Sequence, residues 1–204
     1  MAFPDQGDPA GLDGTLTVRP SATAPGLLLR AWTEQDIPAL VAAHRDSAIR
    51  QWLRHLATTA QEAERIIAAR RAEHRAGTAF HFAVLEAAPD GTAGDLAGGV
   101  NLRPNREAAS GEVGYWVAAP GRGRGTAPRA LTAVCEWASC LPSLRPLDRL
   151  ELIHSVSNHA SCRVADKAGF ALTAVLPPLL PDFPHNGHLH IRLVGQRAAS
   201  IRPS

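Results

Sequence analysis

The sequence predicts a single α/β domain in which strand patterns alternate with helical patterns. Runs of β-branched and aromatic residues, typical of strands, recur between segments whose apolar residues repeat every three or four positions, typical of helices. Hydrophobic residues make up 45% of the 204 residues and charged residues 20%, which is ordinary for a domain that buries a substantial core. The chain contains no internal repeat and no sign of a second domain.

The N-terminal part of the chain predicts a tail followed by a strand and a helix. Residues 1–25 are rich in Gly, Pro, Asp, Ser and Thr, so we expect a flexible tail there and a single domain over residues 26–204. The first strand is predicted over Leu27–Ala31. The segment from Thr33 to Asp36 has the pattern of a capping box and therefore predicts the start of the first helix.

The next elements are a helix and a pair of antiparallel strands. The helix is predicted over residues 61–75, after a polar start at Thr58-Thr59 and before a glycine stop at Gly77. Strands are predicted over residues 79–86 and 95–101, joined by a turn that contains Pro89-Asp90-Gly91.

The most informative segment is a strand, a glycine-rich bend and a helix in direct succession. Strand-forming residues occupy Glu112–Val117, and glycines at 121, 123 and 125 follow. From Ala127 onward apolar residues recur at helical spacing. Because the start of a helix offers unpaired N–H groups and a positive dipole end, a glycine bend placed before it predicts a binding site for a phosphate group.

The spacing within the bend excludes two common phosphate-binding loops. A P-loop needs a lysine after its last glycine, and the only lysine of the chain is Lys167. The dinucleotide motif G-x-G-x-x-G also fails, since its last position falls on Thr126 or Pro128 depending on where it starts.

Two patterns remain, one in the bend and one downstream of it. The first is Arg122-x-x-Gly125-x-Ala127. The second follows a strand predicted over residues 149–156 and has the pattern N-x-x-S-x-R-V-A-x-K-x-G-F, from Asn158 to Phe170. Both resemble motifs of the GNAT (GCN5-related N-acetyltransferase) superfamily, most closely of its RimJ/RimL-type branch, in which the first motif, R/Q-x-x-G-x-G/A, binds the pyrophosphate of acyl-coenzyme A. The resemblance covers roughly residues 26–195.

The resemblance implies a fold and an activity. The fold is a mixed, mostly antiparallel sheet of six to seven strands flanked by about four helices, splayed between the fourth and fifth predicted strands. The last two strands are predicted over residues 170–176 and 188–194, separated by a proline-rich loop. The implied activity is direct transfer of an acyl group, most commonly acetyl, from acyl-CoA to a primary amine of a small molecule or a peptide N-terminus. A catalytically silent coenzyme A-binding module and another kind of nucleotide-binding domain are the alternatives.

The resemblance also assigns the cofactor-binding residues. The backbone N–H groups expected to hold the pyrophosphate are those of Gly123, Gly125, Thr126 and Ala127. Arg122 and Arg124 are candidates for charge-assisted contacts to phosphates or, alternatively, solvated loop residues. The N–H of Val117 is expected to meet the pantetheine arm and thioester in the splay, and Asn158 the pantetheine amides.

Two residues are candidates for proton transfer. Glu112 is the candidate base because strand periodicity places it on the same face as Gly114 and Trp116, although an exposed structural glutamate is the alternative. Many family members carry a tyrosine at the position of Ala165, so a tyrosine proton donor within the second motif is excluded. Ser161 is the substitute donor that the resemblance suggests, while its other reading is that of a helix N-cap.

The remaining features predict few other ligands or partners. His185, His188 and His190 lie close in sequence but have no cysteine or carboxylate set beside them, so no metal site is predicted. The net charge of +2 argues against nucleic acid, and no apolar run is long enough for a membrane span. Three cysteines and no signal-like N-terminus favour a cytoplasmic protein. The family resemblance is compatible with a homodimer, although no sequence feature indicates one.

Overall fold

The computed structural model describes residues 14–141, 144 and 146–194, which form one mixed sheet with helices on both faces. Its eight strands lie in the order β1-β2-β3-β4-β5-β6-β8-β7, and all neighbours are antiparallel except β5 and β6. The strands are β1 Leu16–Val18, β2 Leu27–Ala31, β3 Phe80–Ala87, β4 Ala93–Asn105, β5 Ser110–Val117, β6 Arg149–Ser155, β7 Ala171–Leu176 and β8 Gly187–Leu193. The helices are α1 Ile37–His44, α2 Ser47–Arg50, α3 Ala60–Ala76, α4 Thr126–Cys140 and α5 His159–Lys167.

The sheet begins earlier in the chain than the sequence predicts. Residues Leu16–Val18 pair antiparallel with Leu27–Leu29, and the Arg129 guanidinium donates to the carbonyl of Arg19 at 2.7 Å. The prediction of a flexible tail up to residue 25 is therefore wrong for this strand, which raises the number of strands from the predicted six or seven to eight. A three-residue strand is too short to show periodicity. The tail prediction for residues 1–13 falls outside the described residues.

The predicted helix starts and stops are confirmed. The Asp36 carboxylate accepts the Thr33 N–H at 2.8 Å, and a short 3-10 turn there leads into α1. Helix α3 begins after Thr59, whose hydroxyl accepts the Glu62 N–H, and it ends at Gly77 in the left-handed conformation. No helix in the described part of the chain is both long and apolar enough to cross a membrane.

The sheet divides the apolar core into two parts because alternate residues of each strand point to opposite faces. Helix α4 buries the predicted apolar stripe against the first face, and its buried apolar residues are Ala127, Ala130, Leu131, Val134, Cys135 and Ala138. Phe80 and Phe82 of β3 lie in this first core, whereas their neighbour Ala83 lies in the second core with Leu40 of α1 and Ile67 of α3.

The central strands diverge where the sequence predicts a splay. Strand β5 pairs with β4 along its whole length, from Ser110 to Val117. Its parallel pairing with β6 is limited to Ser110–Val113 opposite Arg149–Leu152. Beyond these residues β5 and β6 separate, which confirms the predicted splay between the fourth and fifth predicted strands and opens a gap in the middle of the sheet.

Candidate active site

A row of unpaired backbone amides lies at the end of β5, before α4. Gly123 and Gly125 have φ values of 75° and 69°, which other residues adopt only with strain. Within the described part of the chain, none of the N–H groups of residues 123–127 donates to a protein acceptor. The first donor of the helix is the Arg129 N–H, bonded to the Gly125 carbonyl at 3.2 Å. The bend therefore offers the N-terminal donors of a fifteen-residue helix to an incoming anion.

Both loop arginines are held by carboxylates. Arg122 Nη2 lies 2.6 Å from Asp46, the N-cap of α2, and its Nε donates to the Val117 carbonyl at 3.3 Å. The Ala48 N–H and then the Arg122 guanidinium lower the pKa of Asp46. Arg124 Nη2 lies 2.5 Å from Glu86 of β3 and also contacts a loop carbonyl. Any phosphate contact by either arginine therefore competes with an existing ion pair.

The backbone of β5 presents free groups to the gap. The Ala118 N–H donates to the Ala97 carbonyl of β4 at 2.9 Å. Since successive residues of a strand direct their N–H groups to opposite edges, the N–H groups of Val117 and Tyr115 point away from β4 and toward the splay. No pairing with β6 reaches these residues. The Val117 N–H is therefore unpaired within the sheet, and its contact with the pantetheine arm and thioester stays a prediction.

A pair of hydroxyl groups lies on the α5 side of the gap. Asn158 caps α5 by accepting the Ser161 N–H at 3.2 Å, so the N-cap reading of Ser161 is wrong. The Ser161 hydroxyl is buried and lies 2.8 Å from the Tyr115 hydroxyl. Burial raises the pKa of Tyr115, so the phenol stays protonated at neutral pH.

Tyr115 is a candidate that the sequence analysis missed. A tyrosine donor was sought only at position 165, where a fully buried alanine stands. Strand periodicity predicts its position, because Tyr115 shares a face of β5 with the buried Val113. Helix α5 packs on that face.

Glu112 lies on the opposite face of β5 from the hydroxyl pair. It is exposed and makes no ion pair within the described residues. It borders an open cleft of about 570 Å³ together with Gly77, Arg103 and Glu107. Val117 lies five positions further along the strand, which is a distance of roughly 17 Å. The structure therefore places Glu112 beside the narrow end of the splay and away from the unpaired amides.

Two segments from distant parts of the chain meet across the sheet. Arg54, between α2 and α3, forms an ion pair with Asp182 in the β7–β8 loop, and its guanidinium lies 4.7 Å from the ring centre of Phe183. Strands β5 and β6 lie between the two segments in the sheet order. Each segment also exposes a large apolar side chain, with Trp52 42% and Phe183 51% exposed.

A buried histidine lies under the aromatic residues of β5. His44 of α1 is fully buried, and its Nδ1 accepts the Ala57 N–H at 2.9 Å. Its ring stands edge-on to Trp116 at 5.2 Å, and Trp116 stacks on Trp32 at 6.2 Å. Burial, and secondarily the charge of Arg70, lowers the pKa of His44 to about 4. The imidazole is therefore neutral at pH 7.

The histidines near the C-terminus have a sulfur neighbour. The sequence analysis expected no cysteine beside them, and this expectation is wrong. Cys162 of α5, together with His154 of β6, joins His188 and His190 of β8, and the four ligand atoms all lie within 4.8 Å of one another. His185 is not part of this cluster.

Comparisons with known proteins agree with this geometry. The sequence profile of the acetyltransferase (GNAT) domain matches residues 26–171. Comparison with curated proteins finds no significant sequence match.

Several solved structures share the fold. A Vibrio cholerae protein described as a ribosomal-protein-serine acetyltransferase is 25% identical, with a TM-score of 0.73 over 89% of this chain and 98% of that chain. RimJ from Mycobacterium smegmatis, solved with a CoA-disulfide, is 21% identical, with a TM-score of 0.73 over 90% of both chains. A Salmonella typhimurium acetyl transferase that modifies the N-terminal serine of ribosomal protein L7/L12 is 21% identical, with a TM-score of 0.70 over 87% and 99%.

The neutral state of His44 predicts a pH dependence of stability. At a pH above 6.5, the ordinary pKa of histidine, the contribution of His44 to the free energy of unfolding is fully present. It is lost as the pH falls toward about 4, the pKa of His44 in the folded protein, because in this range only the unfolded chain takes up the proton. Relative to a His44→Asn variant, which keeps an acceptor for Ala57, the wild type should lose roughly 3 kcal/mol of unfolding free energy over this range. Denaturant unfolding of both proteins between pH 7 and pH 4 measures the difference. Parallel pH profiles would show that His44 titrates normally in the folded protein.

Proposed function

The chain belongs to the acetyltransferase (GNAT) family, and from this premise we propose that it transfers an acetyl group to the N-terminal amine of a peptide or protein. It is an acyltransferase that takes its acyl group from acyl-CoA and moves it to an amine. The assignment to the RimJ/RimL-type branch and the nature of the acceptor are parts of the proposal. The observation that carries it is the row of unpaired amides at residues 123–127, next to the gap between β5 and β6.

We propose a position for the cofactor from the backbone N–H groups that have no hydrogen-bond partner. The pyrophosphate binds the N–H groups of Gly123, Gly125, Thr126 and Ala127, where the dipole of α4 favours negative charge. Arg122 and Arg124 add charge if they exchange their carboxylate partners for phosphate oxygens. The Val117 N–H binds the pantetheine arm or the thioester carbonyl in the gap. The Asn158 side chain caps α5 through its oxygen, which leaves its amide nitrogen as a donor to pantetheine.

The transfer itself needs two proton movements. The neutral amine attacks the thioester carbonyl carbon, the carbon–sulfur bond breaks, and the coenzyme leaves as a thiolate. We propose that the Ser161 hydroxyl gives its proton to this thiolate and takes one from the Tyr115 hydroxyl, 2.8 Å away, and that solvent returns a proton to Tyr115 when the products leave. Glu112 is the proposed base for the ammonium proton of the acceptor, and because it lies roughly 17 Å along β5 from Val117 it acts from the opposite face through a chain of water molecules.

The acceptor proposal rests on the contact between Arg54 and the β7–β8 loop. This contact joins two segments that lie on either side of β5 and β6 in the strand order, and within these segments Trp52 and Phe183 expose apolar surface. Exposed apolar side chains favour an acceptor that buries apolar surface of its own, such as a peptide. Two of the similar structures are described as acetyltransferases of ribosomal-protein serines or N-termini, which supports the same class of acceptor.

The cofactor placement predicts that a charge at the bend weakens binding. Gly125→Asp puts a carboxylate beside the proposed pyrophosphate. The affinity of the variant for acetyl-CoA should therefore fall by about 10-fold or more in calorimetric titration. Gly91→Asp is the matched control, since Gly91 also has a positive φ and open space around it but lies in the β3–β4 turn. Equal affinities for Gly125→Asp and the control would contradict the proposed pyrophosphate site.

The hydroxyl pair predicts coupled losses of turnover. Ser161→Ala and Tyr115→Phe should each lower kcat by about 10²-fold, and the double variant should be no slower than Ser161→Ala, because the two groups act in series. Acetyl-CoA affinity should stay unchanged.

Ser157→Ala is the control for the hydroxyl pair, because Ser157 is an exposed serine in the turn before α5. Independent, multiplicative losses of kcat would contradict proton transfer from Tyr115 through Ser161.

The proposed base predicts a pH-dependent loss of turnover. In the same assay Glu112→Gln should lose turnover most at low pH, where the acceptor amine is protonated. An unchanged pH profile of kcat would show that Glu112 is not the base.

The acceptor proposal predicts a preference for peptides. Peptides with a free α-amine should show a higher kcat/KM than free amino acids or polyamines, and the same peptides with a blocked N-terminus should not react. Thiol release and mass spectrometry of the peptide measure both. Phe183→Ala should raise the KM for peptide about 10-fold without changing the KM for acetyl-CoA. Leu193→Ala, an exposed residue at the end of β8, is the control. Acetylation of small amines alone would overturn the peptide assignment while leaving the acyltransferase intact.

A further inference from the structure

Four side chains with nitrogen or sulfur ligand atoms converge on the α5 side of the sheet. They are His154 of β6, His188 and His190 of β8, and Cys162 of α5, and we call them the Cys/His cluster. His154 and His188 are direct partners in the β6–β8 pairing. The nitrogen–nitrogen distance between His154 Nε2 and His190 Nε2 is 3.1 Å. Cys162 Sγ lies 3.3 Å from His188 Nδ1 and 3.7 Å from His154 Nε2.

The protons available in the Cys/His cluster do not satisfy all of its polar atoms. His154 Nδ1 donates to the Ser155 carbonyl at 2.8 Å, so in the neutral ring Nε2 carries only a lone pair. If His190 donates from Nε2 to this lone pair, its buried Nδ1 carries only a lone pair and cannot donate to the neighbouring backbone carbonyl of Phe170. If His190 instead carries its proton on Nδ1, two lone pairs face each other at 3.1 Å. A cation between the rings removes this conflict.

Three of the six ligand–ligand distances are close to those around a tetrahedral metal ion, and the other three are at most 4.8 Å. Zn²⁺ binds imidazole nitrogen at about 2.0–2.1 Å and thiolate sulfur at about 2.3 Å, so ligand atoms of one tetrahedron lie roughly 3.3–3.6 Å apart. Three contacts in the Cys/His cluster, at 3.1, 3.3 and 3.7 Å, are close to that spacing. We propose that the Cys/His cluster is a binding site for Zn²⁺, with three imidazoles and one thiolate as ligands.

The hydrogen bonds and burial around the Cys/His cluster favour metal binding. The bond from His154 Nδ1 to the Ser155 carbonyl fixes the tautomer that presents Nε2, as is usual for metal-bound histidines. The Cys162 thiol must lose its proton, which passes to solvent when the metal binds. His190 is 4% exposed and the other three residues are half-buried, so the ion has a route of entry.

An ion at this position ties three elements together. It links β6 and β8 to α5, one residue after Ser161, and so fixes the start of the helix that carries the proposed proton donor. The acyl-transfer steps above do not use the ion. Metal binding and acyl transfer are therefore separate properties that can be tested separately.

Metal binding by the full chain without a His tag tests the proposal directly. We expect one equivalent of Zn²⁺ by elemental analysis after dialysis, and a Co²⁺-loaded protein with the intense ligand-field bands of a tetrahedral site and a thiolate-to-cobalt charge-transfer band. Cys162→Ser should abolish the charge-transfer band and weaken Zn²⁺ binding by at least about 10-fold. His188→Gln should weaken binding similarly, and added Zn²⁺ should raise the Tm of the wild type only.

Two control variants distinguish this site from adventitious binding. Cys140→Ser removes an exposed cysteine outside the Cys/His cluster, and His185→Gln removes a nearby histidine that does not belong to it. Both should bind Zn²⁺ like the wild type. Circular dichroism of Cys162→Ser establishes that the fold is kept. Absence of stoichiometric Zn²⁺, or binding that Cys162→Ser and His188→Gln leave intact, would overturn the proposal.

Discussion

The incomplete pairing of β5 is the constraint on which the rest of the site depends. On one edge β5 is bound to β4 along its whole length, and the approach is so close that a Cβ on Gly98 would lie 2.3 Å from the Trp116 carbonyl oxygen. On the other edge the parallel pairing with β6 ends at Val113. Because β5 stays bound to β4 where β6 separates from it, the N–H groups of Tyr115 and Val117 have no partner on the β6 edge.

The alternation of side chains along β5 divides the chemistry between the two faces of the sheet. Val113 and Tyr115 point to the side of α4 and α5, where the unpaired amides and the Ser161 hydroxyl also lie. Glu112 and Trp116 point to the side of α1 and α3. A group held in the gap is accessible from both faces, so a donor molecule can enter from the α4 side while an acceptor approaches from the other.

The sequence predicts elements well where a local pattern has a physical cause, and poorly where contacts join distant segments. The glycines before α4, its apolar stripe and the cap at Thr59 are local, and each lies where predicted. Strand β1 is too short for periodicity and depends on pairing with β2. The contacts of Tyr115 with Ser161 and of Cys162 with His188 join residues 46 and 26 positions apart. Such contacts follow from strand order, which no local pattern specifies.

The ion pair between Arg122 and Asp46 is compatible with a role for Arg122 at the pyrophosphate. The Arg122 side chain is 39% exposed and that of Asp46 23%, so water screens the pair and its contribution is about 0–1 kcal/mol. Because water weakens this pair, Arg122 gives up little when it exchanges Asp46 for a phosphate oxygen. Arg124 is bound by both a carboxylate and the Pro120 carbonyl, so it gives up more to make the same exchange.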